Sequence, residues 1–552
     1  MLHIERLLLY LSNLWLKFRI SHIHQVKPLE LWNFTQLFCA TAFFFKILYC
    51  MAKILSYTLI LSICFSGSCL SQKHDNIWLM GYGGRQTHPE YGNAFLQFPL
   101  DTSTFQKEPM GKADSDFTNI AMCNEEGALQ FYTDGLFLYN KLHQNMAGTD
   151  SLTHGELAFF DSPQRAIVLP KPGYKNKYII LHQTTIGFIF NGQTYLISPD
   201  LRMTEVDTDQ NNGLGKVVLK EKKIIVDTLN NGQLCAVKHG NGRDWWVLSA
   251  KEIAPSNFRR LLIAKDSVFE SDLLSTGIRT FINTGQSTFS QDGSIYASCS
   301  FYGLSPNFTV NLDVYYFDRC SGELTWRGQD IYQGLYPACG VAFSPDSKLL
   351  YLSLGTKLMQ YDISQEPYQS TRMELDTFDG NIDPFYTTFF MLQNAPDGKI
   401  YMSANNAVRS LHIINDPNIR GKGCNFKQHS LKLPVHNNFG VPNYPNYRLG
   451  PLKGSPCDTL PVVSTDTEGE IPLSLSPNPV SDELQIGYDL RGDYQHSVAE
   501  VWDMQGRLMV RQPLDSYQNR TSLSTRDWLP GIYAVRIVQY GRILAWDKVV
   551  KQ

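Results

Sequence analysis

A phrase of about ten residues occurs three times in the second half of this 552-residue chain. The copies are Phe289–Ser298, Phe343–Ser353 and Asn394–Ala404, and their aspartates, Asp292, Asp346 and Asp397, lie 54 and 51 residues apart. Recurrence at a spacing of roughly 20–50 residues is typical of architectures built from repeated units, such as the blades of a propeller. The repeat therefore constrains the fold more than any local motif.

Each copy of the phrase predicts a β-hairpin. An apolar residue ends one strand, Ser/Ala-Pro/Gln-Asp-Gly/Ser forms a tight turn, and an alternating Ile-Tyr-x-Ser pattern begins the next strand. The Asp side chain accepts a hydrogen bond from the amide two residues on, and Gly adopts positive φ without strain. We therefore expect the three aspartates at equivalent turns.

Residues 76–457 as a whole consist of short β-rich runs between Gly, Asn, Asp and Pro turns, without long amphipathic helices. This pattern predicts an all-β fold, and the repeat favours a β-propeller of seven four-stranded blades over a sandwich or barrel. A closed ring has no exposed edge strand, so we expect Ile77–Tyr82 to complete the last blade.

Charge and cysteine content exclude several function classes. Residues 1–71 hold six Lys/Arg and two Asp/Glu, which leaves 43 basic and 50 acidic residues in the remainder. An acidic chain without a basic cluster is a poor ligand for nucleic acid. The seven cysteines after residue 71 form no Cys-x-x-Cys pair, and the histidines lack metal-ligand spacing, so we predict neither a metal site nor a cofactor.

The N-terminal region has the pattern of an extension followed by an export signal. Lys53, the apolar run Ile54–Phe65 and the small residues that follow have the anatomy of a secretory signal peptide over residues 51–71. We interpret residues 1–50 as a spurious upstream extension; a membrane anchor over Leu37–Tyr49 is the alternative. The mature chain is then expected to lack a transmembrane anchor.

The sequence changes character after Cys457. Residues 458–472 are polar and acidic, as in a linker. Residues 473–552 have the pattern of a compact β module, with three groups of strands separated by turn residues. The simplest interpretation is a small immunoglobulin-like β-sandwich. The motif residues of this module are Pro477, Asn478, Pro479, Gly506, Pro530, Gly531, Tyr533 and Lys548.

Both parts of the chain resemble known families. With Pro-Asn-Pro, an Asp…Gly-Arg hairpin, Leu-Pro-Gly-Ile-Tyr and a basic-apolar terminus in order, residues 473–552 resemble the type A C-terminal sorting domain of type IX (Por) secretion. Residues 76–457 resemble the propellers of secreted Bacteroidetes-type proteins, in segments such as Asn124–Gly135 and Asn443–Gly450. The resemblance implies export, type IX secretion machinery as a partner, and a secreted or surface-attached product.

One polar segment is the candidate ligand site. His239, Arg243, Asp244, Trp245 and Trp246 combine an anion- or sugar-binding pair with aromatic faces. The competing interpretation, which we favour, is a hairpin turn at Asn241-Gly242 with Trp filling the space between blades. Cys424 and Cys457 bracket Asn443–Gly450 and are the candidate pair for a disulfide.

Two functions are compatible with these sequence features. The first is an exported propeller that binds a glycan or protein ligand. The second is a propeller hydrolase or lyase acting on polysaccharide or peptide at the central channel. No nucleophile elbow, phosphate loop or metalloprotease motif is present, which favours the binding protein.

Overall fold

The computed structural model describes residues 72–552 apart from several gaps. The gaps are 84–87, 101–104, 108–112, 114, 153–161, 191–192, 252–256, 275–284, 305–306, 336, 456, 459–472, 491–496, 505–506, 515–519 and 540–541. The predicted extension, the signal peptide and nearly all of the linker thus lie outside the described residues. Among the described residues, none of the helices combines the length and apolarity needed to cross a bilayer.

Three antiparallel sheets form first along the chain. Sheet I contains β1 (Ile77–Tyr82), β2 (Gly92–Gln97) and β3 (Gln106–Lys107). Sheet II contains β4 (Ile120–Cys123), β5 (Leu129–Thr133) and β6 (Leu138–Asn140). Sheet III contains β7 (Ala166–Pro170), β8 (Lys177–Gln183), β9 (Ile186–Phe190), β10 (Gln193–Asp207) and β11 (Lys216–Leu229), in the order β11-β10-β8-β7 with β9 paired to β10.

Four sheets of four strands follow, each a simple meander. Sheet IV contains β12 (Cys235–Lys238), β13 (Trp245–Ala250), β14 (Asn257–Ile263) and β15 (Val268–Leu274). Sheet V contains β16 (Gly285–Phe289), β17 (Ile295–Leu304), β18 (Asn307–Phe317) and β19 (Leu324–Leu335). Sheet VI contains β20 (Gly340–Phe343), β21 (Leu349–Ser353), β22 (Lys357–Asp362) and β23 (Met373–Thr377), and sheet VII contains β24 (Phe389–Asn394), β25 (Ile400–Ala404), β26 (Ala407–Ile414) and β27 (Phe426–Asn438). Short helical turns occur at Gln210–Gly213, Tyr368–Thr371 and Gly421–Cys424.

The sheets follow one another around a ring. β1 lies against β4, β4 against β7, β12 against β16, β16 against β20, and β20 against β24. Sheets III and IV meet where the Gln183 amide donates to Ser249 Oγ at 3.1 Å. β27 lies against β1 and closes the circle. A ring of meandering sheets is a β-propeller, as predicted. Seven sheets occur in the described part of residues 77–438, and a count of seven blades stays a prediction.

The expectation that Ile77–Tyr82 completes the last blade is wrong. β1 pairs along its whole length with β2, and sheet VII already has four strands of its own. The two sheets meet instead through separate hydrogen bonds: Arg409 bonds the Glu90 carboxylate at 2.7 Å, the His436 amide donates to Glu90 O at 2.8 Å, and the Gly81 amide donates to Asn437 Oδ1 at 3.1 Å. The strand content also departs from four per sheet, since sheet III has five strands.

A second core lies in the C-terminal module. Its strands are β28 (Leu473–Ser476), β29 (Glu483–Tyr488), β30 (Ser497–Asp503), β31 (Leu508–Pro513), β32 (Arg520–Ser524), β33 (Gly531–Gln539) and β34 (Arg542–Lys551). They form two sheets, β28-β29-β32 and β31-β30-β33-β34. Both sheets contribute to one apolar cluster that includes Ile486, Val501 and Val535. An immunoglobulin-like class for this pair of sheets stays a prediction.

The predicted disulfide is wrong in one partner. Cys457 is bonded to Cys320, with their Cα atoms 5.5 Å apart, whereas Cys424 is a buried free thiol. Sequence proximity suggested Cys424, but the ring brings the turn after β18 next to the chain that leaves the propeller. The bond joins residues 137 positions apart, so it restricts the unfolded chain strongly.

We expect Cys320→Ser and Cys457→Ser each to lower the free energy of unfolding by about 5 kcal/mol, because the long loop loses its cross-link. Urea denaturation with and without reductant measures the effect. The double variant should be insensitive to reductant. An equal response of the double variant and the natural protein would contradict the assignment.

Candidate functional site

The three repeated aspartates occupy the same place in sheets V, VI and VII, between the first and second strands. Asp292 Oδ1 accepts the amide of Ser294, Asp346 Oδ1 that of Lys348, and Asp397 Oδ1 that of Lys399, at distances of 3.0–3.2 Å. The residue that follows each aspartate has positive φ, including Ser347 at 61°. The turns thus have the local chemistry that the repeat implies.

The candidate ligand segment forms the hairpin between β12 and β13. Asn241 Oδ1 accepts the amides of Arg243 and Asp244, and the Arg243 guanidinium pairs with the Asp244 carboxylate at 2.7 Å. His239 Nε2 lies 3.1 Å from the carbonyl of Cys320. The polar groups of this segment therefore hold its own turn and the neighbouring turn of sheet V.

Both tryptophans of the segment are buried. The Trp245 indole N–H donates to Pro170 O at 3.1 Å, towards sheet III, and that of Trp246 donates to Arg319 O at 2.8 Å, towards sheet V. Neither ring offers a face to a ligand. Both indoles fill the space between sheets, which favours the structural interpretation. A ligand-binding role for His239, Arg243, Asp244, Trp245 and Trp246 stays a prediction.

Gly240, in the same hairpin, makes room for the disulfide. A Cβ at this position would lie 2.1 Å from Cys457 Sγ and 3.0 Å from Cys320 Sγ. The Gly240 carbonyl also accepts the amide of Leu452 at 2.8 Å. This segment thus also forms the surface on which the end of the propeller chain is fixed.

We expect Gly240→Ala to displace the Cys320–Cys457 bond, because the added methyl group overlaps a sulfur atom. Gly450→Ala is the matched control, since a Cβ there meets nothing within 4 Å. Thiol titration of the native protein should find more free thiol in Gly240→Ala than in Gly450→Ala, with a lower melting temperature. Equal thiol content in both variants would contradict this account.

Lys238, at the end of β12, is the most perturbed cation of this region. Burial lowers the pKa of Lys238 to about 7, although its Nζ lies 4.0 Å from the centroid of the Trp245 ring. Because the unfolded lysine titrates near 10.5, the unfolded chain binds more protons between these values. The free energy of unfolding therefore gains a positive slope with pH in this window.

We expect the natural protein to gain stability relative to Lys238→Met as the pH rises from 7 to 9, because deprotonation removes the cost of a buried charge. The comparison cancels other titrating groups. Chemical denaturation of both proteins at several pH values measures the difference. A constant difference across this range would show that Lys238 does not titrate there.

The axis of the ring is filled by the closing segment, which we define as residues 439–450. It contacts the start of the propeller chain, since the Tyr444 hydroxyl donates to Ile77 O and Arg448 pairs with Asp75. Its side chains then reach across the ring to backbone groups of other sheets. These groups are Ala121 N and O, Ala166 O, Val168 O, Leu234 O and Gln291 O.

A small cavity of about 20 Å³ remains beside the closing segment, bounded by Gln164, Ser287, Gln393 and Asn443 among others. This volume suits one water molecule. The side chains that line it are apolar or uncharged polar groups. In the described part of the chain, no three His, Cys, Asp or Glu side chains are grouped so that they could hold a metal ion.

The motif residues of the C-terminal module meet at its last strand. The Asn478 side chain donates to Lys548 O at 2.8 Å and accepts the amide of Val550 at 2.9 Å, while Pro477 and Pro479 flank it.

Gly531 pairs with Lys551 at the start of β33, directly after Pro530. The Tyr533 hydroxyl donates to Leu529 O at 2.8 Å. Gly506 lies outside the described residues.

The family model described as a secretion system C-terminal sorting domain matches residues 474–552. The chain carries a sorting domain at its C-terminus. This match supports a type IX secretion substrate and, with it, the type IX machinery as a partner. No curated protein sequence matches the chain.

Solved structures with some likeness include a functionally unknown protein from Desulfotomaculum acetoxidans, 15% identical, covering 67% of this chain and 99% of its own, with a TM-score of 0.35. A second is the β-propeller domain of Nup133 from Vanderwaltozyma polyspora, 10% identical, covering 55% and 90%, with a TM-score of 0.27. The likeness is weak, and the propeller assignment rests on the sheet order described above.

One exposed feature of the propeller was not predicted from the sequence. Ile382, Phe385 and Tyr386 project from the loop between β23 and β24 with more than half of each side chain accessible. The signal in the sequence is an apolar cluster inside a stretch of Asp, Gly, Asn and Pro, where a turn would ordinarily be polar.

Proposed function

We propose that this protein is an exported binding protein. A signal peptide at residues 51–71 delivers the chain to the periplasm, and the sorting domain directs it across the outer membrane. The propeller then acts outside the cell, on the surface or released, as an interaction module for a glycan or protein. The match of residues 474–552 to the sorting domain carries the export part of this proposal.

The filled axis supports a binding role over catalysis at the central channel. A channel hydrolase needs space for substrate and, in most glycosidases, two carboxyl groups about 5–10 Å apart. Here the closing segment occupies the axis, the cavity beside it suits one water molecule, and its lining is uncharged. A ligand is therefore better accommodated on the outer loops of the propeller.

Separate cores support a sorting domain that works as an independent unit. The apolar cluster of the C-terminal module draws its residues from Val480 to Val549. The propeller clusters draw theirs from residues before 450. A module with its own core can be recognised by a secretion machine without unfolding its cargo.

We expect deletion of residues 473–552 to leave a folded propeller in the periplasm of a host that has the secretion machinery. Fusing residues 473–552 to a reporter with a signal peptide should carry the reporter outside, and the reporter without the fusion is the control. Cell fractionation and surface protease accessibility measure the location. Normal surface display of the truncated protein would overturn the proposal for export.

A further inference from the structure

An exposed loop between sheets VI and VII presents aromatic side chains to solvent. The aromatic loop, residues 379–387, joins β23 of sheet VI to β24 of sheet VII, at the end of sheet VII opposite the Asp397 turn. Ile382, Phe385 and Tyr386 are 58%, 55% and 57% exposed. Three large apolar side chains next to each other on a surface loop are costly to solvate, so they call for a functional explanation.

The loop is ordered by its own hydrogen bonds. Asp383 N donates to Phe385 O at 2.9 Å, and Thr387 N donates to Asn381 O at 3.2 Å. Asn406, from the neighbouring hairpin, donates its side-chain amide to Tyr386 O at 2.8 Å. The Phe378 ring meets the Tyr386 ring edge-on, with the centroids 6.1 Å apart. The aromatic side chains therefore project from a backbone that is already fixed before a ligand binds, which lowers the entropic cost of binding.

The charges around the loop argue against an anionic ligand. Asp379 and Asp383 lie in the loop itself, where Asp379 pairs with His429 Nε2 at 2.9 Å and Asp383 pairs with Lys432. The Lys432 ammonium is thus matched by the Asp383 carboxylate, and Asp379 adds a second carboxylate to the loop. A polyanion would meet these carboxylates without gaining an unpaired positive charge.

The size of the apolar patch argues against a protein partner. A stable protein interface buries about 800 Å² on each side and includes a desolvated core of several large residues. Three side chains on a loop of nine residues are a small part of such an area. They are better matched to one or two sugar units.

We infer that the aromatic loop binds a neutral polysaccharide. A pyranose ring has a face of C–H groups that packs on an aromatic ring, and an edge of hydroxyl groups that bonds to polar neighbours. Phe385 and Tyr386 supply the rings, Tyr386 also carries a hydroxyl group, and Asn381 of the same loop is exposed. This inference rests on the proposed binding function and names the ligand class and the site.

Affinity gel electrophoresis of the full chain tests the inference, with xylan, β-mannan or mixed-linkage β-glucan in the gel and polygalacturonate as the anionic probe. We expect at least one neutral polysaccharide to retard the natural protein. Phe385→Ala and Tyr386→Ala should weaken that retardation at least tenfold, whereas Tyr386→Phe, which keeps the ring, should keep most of it. Val226→Ala on β11, where the side chain is 71% exposed, is the matched control. All variants should melt at the temperature of the natural protein.

The outcomes separate this inference from the function it rests on. Retardation by a neutral polysaccharide that Phe385→Ala and Tyr386→Ala leave unchanged overturns the site but keeps a binding role. Retardation by polygalacturonate alone overturns the neutral class. Loop-dependent capture of an outer-membrane protein, without any polysaccharide binding, replaces the glycan by a protein partner and overturns the inference. Failure to bind either class of ligand overturns the proposed binding function as well.

Discussion

The closing segment supplies hydrogen-bond partners for backbone groups at the inner edges of the propeller sheets. The first strand of each sheet turns one row of backbone N–H and C=O groups towards the axis, and buried groups of this kind must be hydrogen-bonded. Tyr444 satisfies both the N–H and the C=O of Ala121, and Asn443 satisfies two carbonyls on different sheets. Side chains of residues 443–448 thus form the hydrogen bonds that a neighbouring strand forms elsewhere in a sheet.

Buried glutamines complete the same network. Gln164 accepts the amide of Ser287 and donates to its carbonyl. Gln286 accepts the amides of Val341 and Leu392 and so joins sheets V, VI and VII. Each such side chain bonds backbone of sheets other than its own, which explains why the ring can be closed without a shared strand. Losing one of them would leave buried donors or acceptors unpaired, at a cost of about 1–3 kcal/mol for each group.

Closure of the ring also determines where function can lie. The axis is occupied, and the chain leaves it over the hairpin at Gly240, where Arg319 holds Gly450 O at 2.6 Å and the disulfide follows. The surface around the Gly240 hairpin therefore holds the last residues of the propeller chain. At the other end of sheet VII, the aromatic loop carries exposed rings on a fixed backbone. A ligand can therefore meet the propeller on its loops without disturbing the network at the axis.

Local chemistry could be predicted from the sequence because it depends on neighbouring residues. The turns at Asp292, Asp346 and Asp397 follow from the Asp side chain and the flexible residue beside it, and the all-β fold follows from short alternating runs between turns. The sorting domain was recognisable because its motifs appear in a fixed order. The interpretation of Asn241-Gly242 as a hairpin turn needed only local residues as well.

Contacts between distant residues were decided by the tertiary structure. Cys457 lies 33 residues from Cys424 but bonds to Cys320, because ring closure returns the end of the propeller to sheet V. The same closure places Asn443 against sheets III and IV, and joins Asn478 to Lys548 across the sorting domain. Burial separates the tryptophans of the 239–246 hairpin, which pack between sheets, from the exposed rings of the aromatic loop. The sequence determined the turns and the strands, while the ring determined which side chains are covered, since coverage depends on neighbours that the sequence order does not reveal.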